Sequence, residues 1–196
     1  MEITQVNDML KIFQQNDYSD EAQLVFALKK GKKNAQTYLY EKLAPKMLAI
    51  CLRYLKDQMQ AEDIMIEGFM KVFSKIDLYR GEGSFEGWIK KIMVNECLMK
   101  LRGPKIYWLD NSECETEISN DAFTNLEVEE LFQMISDLPI GYRTVFNMYV
   151  IEGFSHAEIA DKLHISEGTS KSQLSRAKAI LREQIEKEQK VINQFK

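Results

Sequence analysis

The stretch over 154–182 constrains the fold most strongly, because it contains two helix starts separated by one tight turn. Ser155 and Glu158 have the spacing of a capping box, in which each side chain accepts a hydrogen bond from the other residue's backbone N–H. A turn is predicted at 164–165, followed by a second helix from Glu167 to about Lys187. This order of helix, turn and helix predicts a helix-turn-helix motif, which places its second helix in the major groove of DNA.

The second predicted helix carries groups that suit DNA. Its first turn has free backbone N–H groups that can bind a phosphate, and Arg, Lys, amide and hydroxyl side chains can contact base edges and phosphates. The predicted contacts with duplex DNA are Ser166, Thr169, Lys171, Ser172, Gln173, Ser175, Arg176 and Lys178. From the spacing alone, an ordinary solvated helical hairpin remains the alternative interpretation.

Charge is distributed unevenly along the chain. The net charge is −4, yet residues 103–137 hold one base and nine acids, which leaves the remainder with +4. Phosphate binding depends on the local field, so an acidic chain is compatible with DNA binding. Residues 103–121 combine acids with Ser, Asn and Thr and lack helical periodicity, which predicts a flexible linker.

Residues 20–102 predict a first helical block. Apolar residues recur at helical spacing in two sets, Met65, Phe69, Val72 and Ile76, and then Phe85, Trp88, Ile92 and Met99. Glycines predict a turn over 77–83, and Gly103-Pro104 ends the last helix. We therefore expect an all-α chain with two helical domains, 20–102 and 122–188, joined by the acidic linker. The roles of the extension 1–19 and the tail 189–196 are not predicted.

Other classes of protein are disfavoured by composition. The three cysteines, Cys51, Cys97 and Cys114, form no Cys-x-x-Cys pair, which argues against a disulfide framework and a zinc site and suits the reducing cytoplasm. Neither a signal peptide nor a stretch of about 20 apolar residues is present, so no membrane association is expected. A metal-dependent enzyme using the carboxylates Glu62, Asp63 and Glu67 is a minor alternative. Without a nucleophile–base pair or a phosphate-binding glycine loop, we expect no catalysis, cofactor, metal or small-molecule substrate.

Both blocks resemble parts of the extracytoplasmic-function (ECF) sigma factors. The second block resembles region 4 through LPxxYRxVF over 138–146, EGFSHxEIA over 152–160 and ISEGTSKSQLxRA over 165–177. The first block resembles region 2 through ALxxG over 27–31, LY over 39–40, YL over 54–55, AEDI over 61–64, ExF over 67–69 and FxxWIxxIxxN over 85–95. The resemblance covers about 160 of the 196 residues, in matching order.

This resemblance implies a sigma factor that directs promoter-specific initiation of transcription and has two binding partners, core RNA polymerase and promoter DNA. Region 2 would dock on the clamp helices of the polymerase β′ subunit through Glu62, Asp63, Ile66, Glu67 and Phe69. It would also capture the melted −10 element through Tyr79, Arg80, Ser84, Trp88, Lys91 and Asn95. Region 4 would read the −35 element as duplex and contact the β flap, and the linker would thread toward the polymerase active site. An anti-sigma factor is a further candidate partner.

Some positions depart from the family or allow a second interpretation. Ile66 stands where relatives commonly carry glutamine, Lys32 where an acid is usual and Gln36 where an aromatic residue is usual. Phe85 and Trp88 suit core packing as well as base stacking. Asn95 falls on the predicted apolar stripe, where it could be either a core hydrogen-bonding residue or a −10 contact.

The competing function for the whole chain is a stand-alone helix-turn-helix regulator. Such a protein would need a dimerisation element to match palindromic half-sites. The first 102 residues show neither a heptad run nor a ligand-pocket pattern.

Overall fold

The computed structural model describes residues 18–102 and 126–194, with side chains in the second range described over 130–187. The first block contains α1 (Glu21–Lys29), α2 (Lys33–Leu55), α3 (Gln58–Ser74), a 3-10 turn (Ile76–Leu78) and α4 (Phe85–Leu101). The second contains α5 (Leu126–Asp137), α6 (Ile140–Phe146) with a π-helical continuation (Asn147–Ile151), α7 (His156–Leu163) and α8 (Glu167–Gln194). These two ranges contain no strand, which confirms the all-α prediction.

Short polar side chains begin the helices of the first block. The carboxylate of Asp20 accepts a hydrogen bond from the Ala22 N–H at 3.1 Å, and that of Asp57 accepts from the Gln60 N–H at 2.7 Å. Ser84 caps α4 by accepting from the Gly87 N–H at 3.3 Å. Each cap satisfies a backbone donor that has no partner within its helix.

The core of the first block lies where α2, α3 and α4 pack together. Met65, Phe69 and Val72 are buried on one face of α3, as their spacing predicts, and Ile76 is buried in the 3-10 turn. Gly68 lies at the crossing of α3 and α4, where an added Cβ would collide with the Met93 thioether. A side chain at position 68 would therefore require the flexible end of Met93 to move.

The buried face of α4 differs from the prediction. The structure buries Ile89, Met93 and Cys97, whereas Met99 is 58% exposed and Asn95 is also exposed. This helix carries apolar residues on several of its sides. Helical spacing alone is therefore compatible with more than one buried face. The placement of Met99 and Asn95 on the buried stripe was wrong.

The second block has a small core of its own and also shares the core of the first. Met134, Ile135, Leu138, Ala177 and Leu181 pack together between α5, α6 and α8. A second set of buried side chains joins the large core of the first block, namely Val145, Met148, Ile159, Leu163 and Leu174. The sequence predicted two helical domains joined by a flexible linker, and in the structure the two blocks are in direct contact.

One predicted helix boundary is correct, and one predicted helix is shorter than the helix in the structure. The break at Leu138-Pro139 is confirmed, because α5 ends at Asp137 and α6 begins at Ile140. The helix that begins at Glu167 continues to Gln194 rather than ending near Lys187. The predicted linker and the first 17 residues lie outside the described residues.

Candidate functional site

The helix-turn-helix begins with a complete capping box. The Ser155 hydroxyl accepts from the Glu158 N–H at 3.2 Å, and the Glu158 carboxylate accepts from the Ser155 N–H at 2.8 Å. The pKa of Glu158 lies below its usual range, chiefly because the Ser155 backbone and hydroxyl bond to its charged form. Nearby Lys91 and Lys162 lower this pKa further. Both hydrogen bonds of the capping box predicted at the start of α7 are therefore confirmed.

The turn of the motif is held in a conformation that side chains rarely adopt. His164 has a φ of +56°, in the left-handed region, and ends α7. The Ile165 N–H donates to the Ala160 carbonyl at 3.1 Å, while Ile159 and Leu163 are buried beneath the turn. These contacts fix the direction in which α8 leaves the turn.

The start of α8 is organised by three hydroxyl groups. The Ser166 hydroxyl accepts from the Thr169 N–H at 3.0 Å and lies 2.9 Å from the Thr169 hydroxyl. The Ser172 hydroxyl donates to the Thr169 carbonyl at 3.0 Å. These groups stabilise the first turns of the helix locally.

Basic side chains on the outer face of α8 also have local partners. Lys171 lies 3.6 Å from the Glu167 carboxylate, four residues earlier. Arg176 donates to the Tyr142 hydroxyl at 3.0 Å, and the Lys178 ammonium lies 6.0 Å from the centroid of an aromatic ring, that of Tyr149. The exposed residues of the predicted DNA set are Ser166, Lys171, Ser172, Ser175, Arg176 and Lys178.

Gln173 does not lie on this outer face. It is 5% exposed and belongs to a buried row with Ser170, Leu174 and Ala177, which recur at steps of three and four. The Ser170 hydroxyl contacts His156 Nδ1 at 2.9 Å, so a polar pair lies beneath the helix. The prediction that Gln173 contacts DNA is not supported, because its side chain packs between the helices.

The outer face of α3 carries four of the five predicted polymerase contacts. Glu62, Asp63, Ile66 and Glu67 are exposed. Phe69, in contrast, is 1% exposed and packs against the rings of other aromatic residues at centroid distances of 5.0 and 6.1 Å. It supports α3 from within the core and cannot also form part of a docking surface.

Sequence reasoning missed two further residues on this face of α3. Met59 is 72% exposed and Met70 is 66% exposed, and together with the exposed Ile66 they recur at steps of seven and four. Large apolar side chains exposed at helical spacing among acids are typical of a protein-binding surface. The helical spacing of these three residues is visible in the sequence. They were missed because methionine side chains are more often buried in a core than exposed on a binding surface.

The predicted −10 residues surround an aromatic cluster at the start of α4. The Tyr79 ring centroid lies 4.9 Å from that of Phe85 and 5.5 Å from that of Trp88. Phe85 is buried, Trp88 is half-buried, and Arg80 and Ser84 are exposed. Phe85 therefore has the core role that its spacing allowed.

Tyr79 shapes the loop and has little surface to offer a base. It is 6% exposed, and its hydroxyl donates to the Gly83 carbonyl at 2.8 Å. Gly81 and Gly83 have φ values of +78° and +81°, which favour glycine, so the turn predicted here is confirmed. The expectation that Tyr79 itself contacts melted DNA is not supported in this arrangement.

Two other predicted −10 residues face the second block. Lys91 and Asn95 are exposed on α4, and the Asn95 side-chain oxygen accepts from the Lys162 ammonium at 3.0 Å. Asn95 is thus neither a core hydrogen-bonding residue nor unpartnered. A cleft of about 570 Å³ adjoins this contact, lined on one side by α3 and α4 and on the other by α7 and the turn at His164.

Two kinds of feature are absent from the described part of the chain. No group of three or more His, Cys, Asp or Glu residues there could hold a metal ion. Across the same residues, every helix is too short or too polar to cross a membrane.

Comparison with known proteins places both blocks in sequence families. The family model for sigma-70 region 2 matches residues 39–105, and the model for sigma-70 region 4 matches residues 129–181.

Individual relatives match over most of their own length. The chain is 30% identical to the ECF RNA polymerase sigma factor SigW of Bacillus subtilis, over 81% of this chain and 92% of that protein. It is 28% identical to the RNA polymerase sigma-H factor of Pseudomonas aeruginosa, over 81% of this chain and 90% of that protein. A similar fold occurs in the sigma factor RpoE, in complex with the anti-sigma factor NepR, from Bartonella quintana. The TM-score there is 0.52 at 23% identity, over 76% of this chain and 96% of that one.

Proposed function

Because the chain belongs to the ECF RNA polymerase sigma factors and directs initiation of transcription, we propose that it does so through three surfaces on its two helical blocks. The first, the docking face, is the outer side of α3. The second, the −10 surface, surrounds the start and outer side of α4. The third, the −35 face, is the outer side of α8.

The observation that carries this proposal is the exposed acidic and apolar face of α3 in a chain that also has a helix-turn-helix. A stand-alone regulator would need a face that pairs with a second copy of itself, and the acids on this face would repel one another in such a pair, whereas they suit a basic partner that a sigma factor binds together with DNA. Acids such as Asp63 complement a basic partner and guide its approach, while Met59, Ile66 and Met70 can be buried on contact. We assign this face to the clamp helices of the polymerase β′ subunit.

The −35 face consists of side chains that point outward from α8. Arg176, Lys171 and Lys178 can bind phosphates or guanine edges, and Ser172 and Ser175 can contact either. Ser166 and Thr169 order the first turn of the helix, whose backbone N–H groups can bind a phosphate.

The −10 surface combines stacking with positive charge. Half-buried Trp88 has its inner ring face against Phe85, at a centroid distance of 5.9 Å, and still retains exposed area for a base. Arg80 and Lys91 supply cationic groups beside it, and Ser84 and Asn95 supply polar ones. A single strand is held by this combination of stacking and charge.

Further partners follow from the same proposal. The β flap of the polymerase would contact the second block, and an anti-sigma factor is a candidate partner, as for the relative crystallised with NepR. Since all of these acts are binding events, we propose that the chain has no catalytic activity of its own. It would work in the cytoplasm, where core polymerase and DNA are found.

Competition for core polymerase tests this proposal. Full-length chain labelled at its N terminus is titrated with core RNA polymerase, and a housekeeping sigma factor is then added without label. Saturable binding that the competitor displaces is expected, because both would occupy the clamp helices. Absence of binding would contradict the proposal, as would protection of a palindromic duplex by the chain alone, which indicates a stand-alone regulator.

A further inference from the structure

Four exposed lysines lie where α1 meets α2. α1 ends at Lys29 and α2 begins at Lys33, and Gly31 in the turn between them has a φ of +65°, which favours glycine. The lysines are Lys29, Lys30, Lys32 and Lys33, with no acid between them. Lys32 stands where relatives commonly carry an acid, and none of the three proposed surfaces includes this turn.

An exposed aromatic ring lies beside the lysines. Phe26 of α1 is 62% exposed, and the Lys30 ammonium lies 5.6 Å from the centroid of its ring. Phe26 also lines an open groove of about 350 Å³, together with Gln23 and Lys32. The groove therefore offers a ring for stacking, an amide for hydrogen bonding and a cation for a phosphate. These are the groups with which proteins hold an unpaired base and its backbone.

The lysine turn is continuous with the −10 surface. The Lys29 ammonium donates to the Tyr79 carbonyl at 3.0 Å, and the Tyr79 hydroxyl lies 3.3 Å from the Glu21 carboxylate. Both contacts join α1 to the loop that carries Arg80 and Ser84. A DNA strand that is bound at this loop can therefore reach the lysines along a continuous protein surface.

The order of the elements indicates which part of the strand would arrive there. A helix rises about 1.5 Å per residue, so Asn95 lies roughly 16 Å from Ser84 along the axis of α4. The carboxyl end of α4 leads in the chain toward the second block, which would read the upstream −35 element. The start of α4 and the adjoining lysine turn therefore lie on the downstream side, toward the start of transcription.

We propose that Phe26 and the lysine turn bind the unpaired strand just downstream of the −10 element, with one base stacked on the Phe26 ring and phosphates beside the lysines. The inference rests on the proposed function, because it extends the strand that the −10 surface holds. Stacking and phosphate contacts read no base edges. This contact therefore adds affinity for melted DNA of any downstream sequence.

Forked promoter fragments test the proposal. Both fragments derive from a promoter found by start-site mapping, with a duplex −35 element and a single-stranded −10 element. In the short fragment the strand ends after the −10 element, and in the long fragment it continues for about eight nucleotides, a length that one binding site can cover. Fluorescence anisotropy measures the affinity of holoenzyme, formed from core polymerase and the full chain, for each fragment. The ratio of the two affinities reports the downstream contact.

Two variants remove the proposed contacts, and each has a matched control. Phe26→Ala removes the ring, whereas Phe26→Trp retains a surface for stacking. Lys32→Glu reverses one charge in the turn, and Lys42→Glu makes the same change at an exposed lysine of α2. Lys42 is a close match because its ammonium also lies near an aromatic ring, 5.4 Å from the centroid of Tyr38. All four changes are at exposed positions, and circular dichroism checks that helical content is kept.

The unmodified holoenzyme should bind the long fragment more tightly than the short one. Phe26→Ala and Lys32→Glu should each lower this ratio of affinities by about fivefold or more, the lower value for stacking of one base. Both controls should retain the ratio, and affinity for the short fragment should not change in any variant.

An unchanged ratio in either Phe26→Ala or Lys32→Glu overturns the proposal. Equal losses on both fragments also overturn it, because they would assign the patch to a partner other than the downstream strand, such as an acidic surface of the polymerase. If the unmodified chain forms no holoenzyme with core polymerase, the proposed function itself has failed, and that result is distinct from a changed ratio.

Discussion

Helices α3 and α8 bury one face each in the same way and differ in what they expose. Each places buried residues at steps of three and four, such as Met65, Phe69 and Val72 on α3 or Gln173 and Ala177 on α8. The outer side of α3 carries acids and large apolar groups, whereas that of α8 carries bases and hydroxyls. In these two helices the spacing of the buried residues marks the inner side, and the chemistry of the outer side decides which partner it can bind.

The two outer faces should respond differently to solution conditions. A protein contact made through side chains such as Met59 and Met70 gains from burial of apolar area, which salt does not screen. A DNA contact made through Lys171 and Arg176 gains from release of counterions and weakens steeply as salt rises. Four predictions test how the faces of α3 and α8 have been assigned, beginning with the largest effect.

Phe69→Ala should lower the free energy of unfolding by about 3–5 kcal/mol, because it leaves a cavity between α2 and α3. Urea denaturation followed by circular dichroism measures this change. Met70→Ala, at the adjacent and exposed position, is the control and should unfold almost as the unmodified chain does. Equal losses would mean that the buried and exposed sides of α3 have been assigned incorrectly.

Asp63→Arg should weaken binding to core polymerase by about 30-fold or more, since it places a cation against a basic partner. Affinity is measured by titration of labelled chain. The matched control is Glu41→Arg, which makes the same charge change at an exposed position on α2. A comparable loss in both variants would point to long-range charge rather than to a docking face on α3.

Arg176→Ala should reduce −35-dependent transcription by about 10-fold, the value of one good base contact, and leave polymerase affinity unchanged. Because Arg176 also donates to the Tyr142 hydroxyl, Tyr142→Phe serves as a control that removes this bond and retains the guanidinium. Transcription from a matched pair of promoters, with and without the −35 element, gives the measurement. An equal loss in Tyr142→Phe would assign the effect to the position of α8 instead.

Lys171→Ala should have the smallest effect, a reduction of about one in the slope of log affinity for promoter DNA against log salt. Binding of the holoenzyme to a promoter fragment is measured at several salt concentrations. Ser172→Ala removes an uncharged neighbour and should leave the slope unchanged. If the slope is the same in all three proteins, Lys171 does not contact a phosphate.

The features that could be predicted from sequence were local ones. Ser155 and Glu158 are three residues apart, so their capping box depends on little beyond the chain between them. The break at Pro139 is equally local, since proline cannot continue a helix from the preceding residues. These short-range rules located the helix-turn-helix, and the family resemblance supplied its function.

The errors arose where a residue's environment depends on distant parts of the chain. Gln173 is polar, yet the packing of α8 against its neighbours buries it. Met99 and Met93 are both apolar residues of α4, and the packing of α2 and α3 against this helix decides which one is buried. The ion pair of Arg53 and Glu152 joins residues far apart in sequence, so no local pattern could indicate it.

Run-off transcription tests the central claim most directly. Core RNA polymerase is incubated with genomic DNA fragments, with and without the full chain, and the 5′ ends of the transcripts are mapped. We predict new start sites that share two upstream elements and that disappear with Asp63→Arg. Start sites identical to those of core polymerase alone would contradict the account.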